Sequence, residues 1–170
     1  MERHKLKANW PLPNEYLLEL GRISTLYGVL ESVVNIAISK LAGYSVIYDY
    51  RSAIILAHAN FQQRVDILET LFEQTFPEYP ALAGYKEVIK LIKQSQKGRN
   101  KFMHSSMGFN VETNKVELSS MSARGTLKTK AETIYVNELK EISAVTHEAT
   151  CALHTIITGN ELKPLWDRNA

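Results

Sequence analysis

The chain has 170 residues, of which 45% are apolar and 22% charged, enough for one domain with a proper core and too few for two. Its formal net charge of +2 at pH 7 excludes a global field of the kind that coats a nucleic-acid binder, so any basic surface must be local. A single cysteine, Cys151, excludes an internal disulfide framework and fits a reducing compartment.

Residues 1–13 carry charges without an apolar run and read as a tail, not as a signal peptide or anchor. No later stretch approaches the roughly 18 uninterrupted apolar residues of a membrane span. No repeat or low-complexity tract interrupts the chain. It reads as a cytoplasmic protein with one domain over 14–158 and a C-terminal tail over 159–170.

The first strong pattern opens at Pro13-Asn14, where Asn14 is placed to cap a helix. Leu20, Ile23, Tyr27, Leu30, Val34, Ala37 and Leu41 then recur at steps of three and four, one apolar seam ended by Gly43. A short apolar helix is expected around Arg51 to Ala57. Asn60 lies three residues before Gln63, the spacing of a capping box. Phe61, Val65, Leu68 and Phe72 form the inward face of that helix, and Pro77 and Pro80 end it. Another helix runs from about Ala81 to His104, with Tyr85, Val88, Ile89 and Ile92 inward.

The pattern then changes. From Phe109 to Val136 the chain is rich in Thr, Ser and Val, with turn signals at Glu112-Thr113-Asn114 and Arg124-Gly125. Lys115 to Ser122 and Thr126 to Ala131 read as a β-hairpin, with Ile134 to Val136 a candidate for a further short strand. Asn137 is placed to cap a last helix whose seam is Ile142, Val145, Ala149, Leu153 and Ile156, closed by Gly159. The seams need one another for burial. The expected fold is therefore all-α, an up-and-down bundle of four to five helices with a small hairpin inserted before the last.

The chemistry concentrates at the end of the helix that precedes the hairpin. On a helical wheel Arg99 falls near the centre of the seam with Tyr85, Ile89, Ile92 and Met103. A guanidinium there is costly unless it is paired or faces a polar pocket. Glu31, at the edge of the first helix's seam, is the nominated partner, with Asn35 one turn on. Asn100 and His104 are four apart and share a face beside the seam, so an arginine, an amide and an imidazole gather at one helix end. Lys86, Lys90, Lys93, Lys97 and Lys101 all fall in the sector around His104. Such a stripe suits an RNA backbone, although lysine is also a good helix former on any solvated face. Ser105 and Ser106, just past the histidine, can contact phosphate or simply end the helix.

Arg99-Asn100-Lys101-Phe102-Met103-His104 resembles the Arg-x(4–6)-His motif of the HEPN superfamily (higher eukaryotes and prokaryotes nucleotide-binding), whose catalytic members carry a polar residue after the arginine, here Asn100. Asn60-Phe-Gln-Gln-Arg-Val-Asp-Ile-Leu68 is similar to the second helix of small bacterial HEPN-like proteins, and the resemblance spans about residues 14 to 158. It implies a metal-independent endoribonuclease without a cofactor, active as a homodimer whose two motifs meet at the two-fold axis. Such proteins often act as toxins or in phage defence, with an antitoxin or regulatory protein as partner. His104 would serve as general base or acid, Arg99 would hold the phosphate and stabilise the transition state, and Asn100 would orient the imidazole or bind phosphate. Lys93, Lys97, Lys101 and Ser105 would bind RNA. The alternative implied by the same family is a non-catalytic module that binds a nucleotide, RNA or a protein partner.

Other signals carry less. His147, Cys151 and His154 fall opposite the apolar seam of the last helix, which leaves them accessible. Positions i and i+7 are about 10 Å apart along a helix, too far for three ligands to close easily on one ion, and no fourth ligand is at hand. Nothing supplies an oxyanion site for Cys151 as a nucleophile. Trp10 and Trp166 lie in the tails, placed to pin the termini, and the chain has no Gly-rich phosphate loop or dinucleotide fingerprint.

Overall fold

The computed structural model describes residues 11–44, 49–122 and 125–168. Five α-helices and one three-stranded antiparallel sheet follow in chain order: α1 (Asn14–Leu41), α2 (Tyr50–Leu56), α3 (Phe61–Thr75), α4 (Tyr85–Met103), β1 (Ser106–Asn110), β2 (Lys115–Ser122), β3 (Lys128–Ile134) and α5 (Val136–Thr158). Single 3₁₀ turns at Pro80–Leu82 and Leu165–Asp167 precede α4 and follow α5. Trp10 and Arg124 lie outside the described residues. Among the described residues no helix is long and apolar enough to cross a membrane.

The helices form where the apolar steps required them. Ile23, Tyr27, Leu30, Val34 and Ala37 of the α1 seam are all buried, and Gly43 follows with φ 84°, a left-handed conformation that costs glycine little. The capping box of α3 is formed, with Asn60 Oδ1 accepting from Gln63 N–H at 3.0 Å and Gln63 Oε1 accepting from Asn60 N–H at 2.8 Å. Two expected caps differ. Asn14 is the first residue of α1, after Pro13, and gives no side-chain cap. Asn137 lies inside the first turn of α5, where Glu138 instead accepts from Tyr135 N–H at 3.0 Å.

α5 packs between α1 and α4, and α3 closes the ring against α1 and α4. Leu30, Val34, Leu68, Phe72, Ile92 and Leu153 fill the centre of this bundle. Full burial of one such side chain is worth about 1.5–3 kcal/mol against exposure. The inward face of α5 is turned from the expected seam. Leu139, Ser143, Thr146, Thr150 and Cys151 are buried with Ala149 and Leu153, whereas Ile142, Val145 and Ile156 are only partly covered. Small residues let α4 and α5 approach closely: a Cβ on Gly98 would collide with the Ile142 side chain.

The expectation of an all-α fold with one hairpin is corrected by the sheet. β1, which the expected hairpin did not include, pairs with β2 in the register Phe109↔Val116, and β2 pairs with β3 in the register Val116↔Ile134. Only Met107 and Phe109 mark β1 as a strand, an alternation too short to detect from the sequence. β3 lies two to three residues later than Thr126–Ala131, because Ile134 is buried opposite Val116 and thereby sets the register. The β1–β2 turn was legible, with Asn114 at φ 53° and Asn110 Oδ1 accepting from Glu112 and Thr113 N–H.

The sheet caps one end of the bundle. Val116, Leu118 and Ile134 form a second core with Tyr16 and Ile23 of α1, Phe102 of α4 and Leu139 of α5, and the Tyr16 hydroxyl donates to the Ile134 carbonyl at 3.1 Å. Buried polar groups at this end of the helices are paired, as burial demands. Ser95 and Thr146 share a 2.7 Å hydroxyl contact, and the Glu19 carboxylate accepts from Ser143 and Arg22.

Candidate functional site

α4 ends at Met103, and His104 is the first residue beyond its last turn. Ser95, Gly98 and Phe102 seat this stretch of α4 in the fold, and the Phe102 side chain, 2% exposed, anchors the end of the helix in the second core. With 102 held inward, Lys101, Met103 and His104 are left exposed. Met103, expected on the seam, is 39% exposed because the core ends one turn earlier on that side.

Arg99 is half-buried, and its guanidinium gathers the site. Nη1 lies 2.8 Å from His104 Nε2 and 3.3 Å from Asn100 Oδ1, while Cζ sits 5.1 Å from the centre of the Tyr27 ring. A guanidinium only donates, so a hydrogen bond in this contact has His104 Nε2 as its acceptor. Tyr27 is almost fully buried under the arginine. Burial pushes its phenol above the ordinary range, the negative charge of Glu31 adds to this, and Arg99 opposes it. The hydroxyl is a neutral fixture of the site.

The expected ion pair between Arg99 and Glu31 is not formed, because the guanidinium reaches along the helix end to His104 and lies over Tyr27 instead. Glu31 nevertheless shares a cleft of about 310 Å³ with it, lined by Tyr27 of α1, by residues 60–62 at the start of α3, and by Gln96, Arg99 and Asn100 of α4. Asn35 belongs elsewhere. Its Oδ1 accepts from Arg64 at 3.4 Å, and it lines a separate hollow between α1, α2 and α3.

The lysine stripe divides in two. Lys86, Lys90, Lys93 and Lys97 line a shallow groove of about 340 Å³ that also includes Glu69 of α3. Lys93 pairs there with Glu69 at 2.6 Å and Lys90 with Glu87 at 3.0 Å; Lys97 makes no ion pair among the described residues. Lys101 turns to the sheet and pairs with Glu132 at 3.0 Å and Glu138 at 3.2 Å. Burial works against its charge, but the hydrogen bonds to these carboxylates outweigh it and hold the ammonium above its ordinary value. Ser105 is half-buried in the connection to β1.

The last helix shows a further correction. Cys151 is 2% exposed, so the expected accessible thiol is buried; the real inward face of α5 carries the small polar residues that the apolar seam passed over. Burial pushes the thiol above its ordinary value, against the pull of Arg168. His147 Nε2 accepts from Leu165 N–H at 3.1 Å, and its ring meets Trp166 edge-on at 5.5 Å. Trp166 thus pins the C-terminal segment onto α5. Among the described residues no group of three or more His, Cys, Asp or Glu side chains is arranged to hold a metal ion.

Sequence reasoning missed Phe61 and Gln96 as site residues and read Tyr27 only as core. The signal for Tyr27 was present, since an arginine on one seam must meet whatever the facing seam presents. Gln96 had none, being one amide among many. No family model, curated protein or solved structure matches the chain.

Proposed function

We propose that this chain is a HEPN-like, metal-independent endoribonuclease, with Arg99, Asn100 and His104 as its catalytic group. The observation that carries the reading is the 2.8 Å contact between Arg99 Nη1 and His104 Nε2 at an exposed helix end. It places a phosphate-binding cation and an imidazole lone pair side by side, open to solvent. These are two of the groups that transesterification of RNA uses, the base and the phosphate-binding cation.

In the proposed reaction the RNA phosphate engages the Arg99 guanidinium and draws it from Nε2. The freed lone pair of His104 takes the proton of the ribose 2′-hydroxyl. The 2′-oxygen forms a bond to phosphorus, the bond from phosphorus to the 5′-oxygen breaks, and a proton is delivered to that leaving oxygen. The products are a 2′,3′-cyclic phosphate and a free 5′-hydroxyl. One copy supplies one imidazole in this motif, so a second copy, paired motif to motif, supplies the acid. Asn100 keeps the guanidinium in register through its amide oxygen. The groove of Lys86, Lys90, Lys93 and Lys97 is the proposed path of the RNA backbone; Lys101, committed to Glu132 and Glu138, serves the fold more than the substrate.

The test is cleavage of mixed RNA by the purified protein in EDTA beside His104→Ala. Cleavage by the wild type, with products ending in cyclic phosphate and lost in the variant, is expected. No cleavage, or equal cleavage by the variant, overturns the reading in favour of a non-catalytic binding module.

A further inference from the structure

The cleft between α1, the start of α3 and the end of α4 adjoins the proposed catalytic group through Arg99 and Asn100, which both line it, and Arg99 also meets His104. At about 310 Å³ it lies at the lower end of small-molecule sites. Tyr27 and Phe61 share its lining, with ring centres 4.8 Å apart and planes inclined by 51°, and Phe61 is only partly covered. Tyr27 is covered by the Arg99 guanidinium, so the aromatic surface left for a ligand is the exposed part of Phe61, and such surfaces are what unstacked bases rest on in single-stranded RNA.

The polar groups around this floor differ in availability. Asn60 Oδ1 is used by Gln63 N–H, Gln62 Nε2 by Asp66, and Asn100 Oδ1 by Arg99. Glu31 and Gln96 make no side-chain hydrogen bond or ion pair among the described residues. Glu31 is a half-buried carboxylate that lines the cleft without pairing with Arg99, so its oxygens are free to accept from a ligand.

We infer that this cleft is the base subsite of the proposed nuclease, and that Glu31 makes it select guanine beside the scissile phosphate. The inference rests on the ribonuclease reading for its connection to cleavage. A carboxylate accepts two parallel hydrogen bonds, and guanine alone among the four bases presents two adjacent donors, N1–H and the N2 amino group. In adenine and cytosine the amino group adjoins a ring acceptor, and in uracil the single N–H lies between two carbonyls. Each of these sets lone pairs against the carboxylate. Gln96 supplies an amide N–H for the guanine carbonyl, and Arg99 carries the adjoining phosphate to His104.

Two measurements test this separately from the nuclease itself. The first is cleavage in EDTA of oligoribonucleotides that present each dinucleotide step once, by wild type, Glu31→Gln and Gln96→Ala. The second is equilibrium binding of guanosine, adenosine, cytidine and uridine monophosphates to wild type, Glu31→Gln and His104→Ala. Wild type is expected to cut beside guanosine at least about 10-fold faster than elsewhere, as one well-read base edge allows. Glu31→Gln should reduce that ratio about 10- to 100-fold, and Gln96→Ala should reduce it by less. His104→Ala should keep its preference for guanosine monophosphate. Cleavage with no guanosine preference, or a preference unchanged in Glu31→Gln, overturns the subsite and leaves the nuclease standing. Selective binding of guanosine monophosphate that depends on Glu31, in a protein that cleaves nothing, supports the subsite and removes the nuclease. Neither cleavage nor selective binding overturns both.

Discussion

Two surfaces of this chain carry histidine beside other reactive side chains, and they are built in opposite ways. At the end of α4, His104 is exposed, and the ring nitrogen it offers meets Arg99 next to an open cleft. On α5, His147 already accepts from the Leu165 backbone and packs against Trp166, Cys151 is buried, and His154 Nδ1 is enclosed with no partner among the described residues. Both surfaces combine residue types that sequence patterns associate with chemistry. Only the first leaves its histidine exposed beside an open cleft. A polar group whose bonds are consumed by its own fold works for stability; one held rigidly at a cleft works for a ligand.

The largest expected effect separates the two histidines. His104→Ala should lower RNA cleavage at least about 100-fold, the usual weight of a general base or acid, with an unchanged melting temperature. His147→Ala should leave cleavage intact and lower the melting temperature, since it frees the Leu165 N–H. Equal loss of cleavage in both variants would erase the distinction.

The next effect concerns the support beneath the first surface. Gly98→Ala places a methyl group against Ile142. Overpacking costs about 1–3 kcal/mol, and the better helix propensity of alanine returns about 1 kcal/mol. The expected net loss of about 1 kcal/mol lowers the melting temperature by about 2–4 °C in a chain of this size. Because Gly98 precedes Arg99, cleavage should fall along with stability. A variant more stable than wild type would show that α5 yields without strain.

A third effect is specific to α5. Burial, with Arg168 adding to it, depresses the basicity of His147 below the ordinary imidazole value. The unfolded chain therefore binds its proton first. The stability contributed by neutral His147 is complete above about pH 6.5 and is lost as pH falls below that value. Urea midpoints measured between pH 7.5 and 5 should decline in wild type, and the decline should be shallower in His147→Gln. Equal slopes would deny the His147 contact a role in holding the C-terminal segment.

The smallest effect divides the lysines. Lys97→Ala should weaken RNA binding and reduce the magnitude of the log–log salt slope by about one. Lys101→Ala should leave that slope nearly unchanged and cost at most about 1 kcal/mol of stability, as exposed ion pairs do. Salt titrations of binding by both variants decide it.

Local rules determined much of this protein from its sequence. The α1 seam, the capping box of α3, the turn at Asn114 and the placement of Arg99 beside Asn100 and His104 all depend on residues within a turn or two of one another, and periodicity reads such relations well. What joined those residues to anything else was decided by tertiary structure. β1 exists because Met107 and Phe109 complete a core with α1 and α5, and two residues make no pattern. Cys151 is buried because α5 turns inward a face that joins small polar residues to Ala149 and Leu153 of the seam. Lys101 left the basic stripe because Glu132 and Glu138 arrive from elsewhere in the chain. The same distinction holds at the site itself: the sequence set Arg99 and His104 five residues apart, and only the packing of α1 and α3 against α4 decided that Tyr27 lies beneath the guanidinium and that Glu31 lines the cleft without pairing with Arg99.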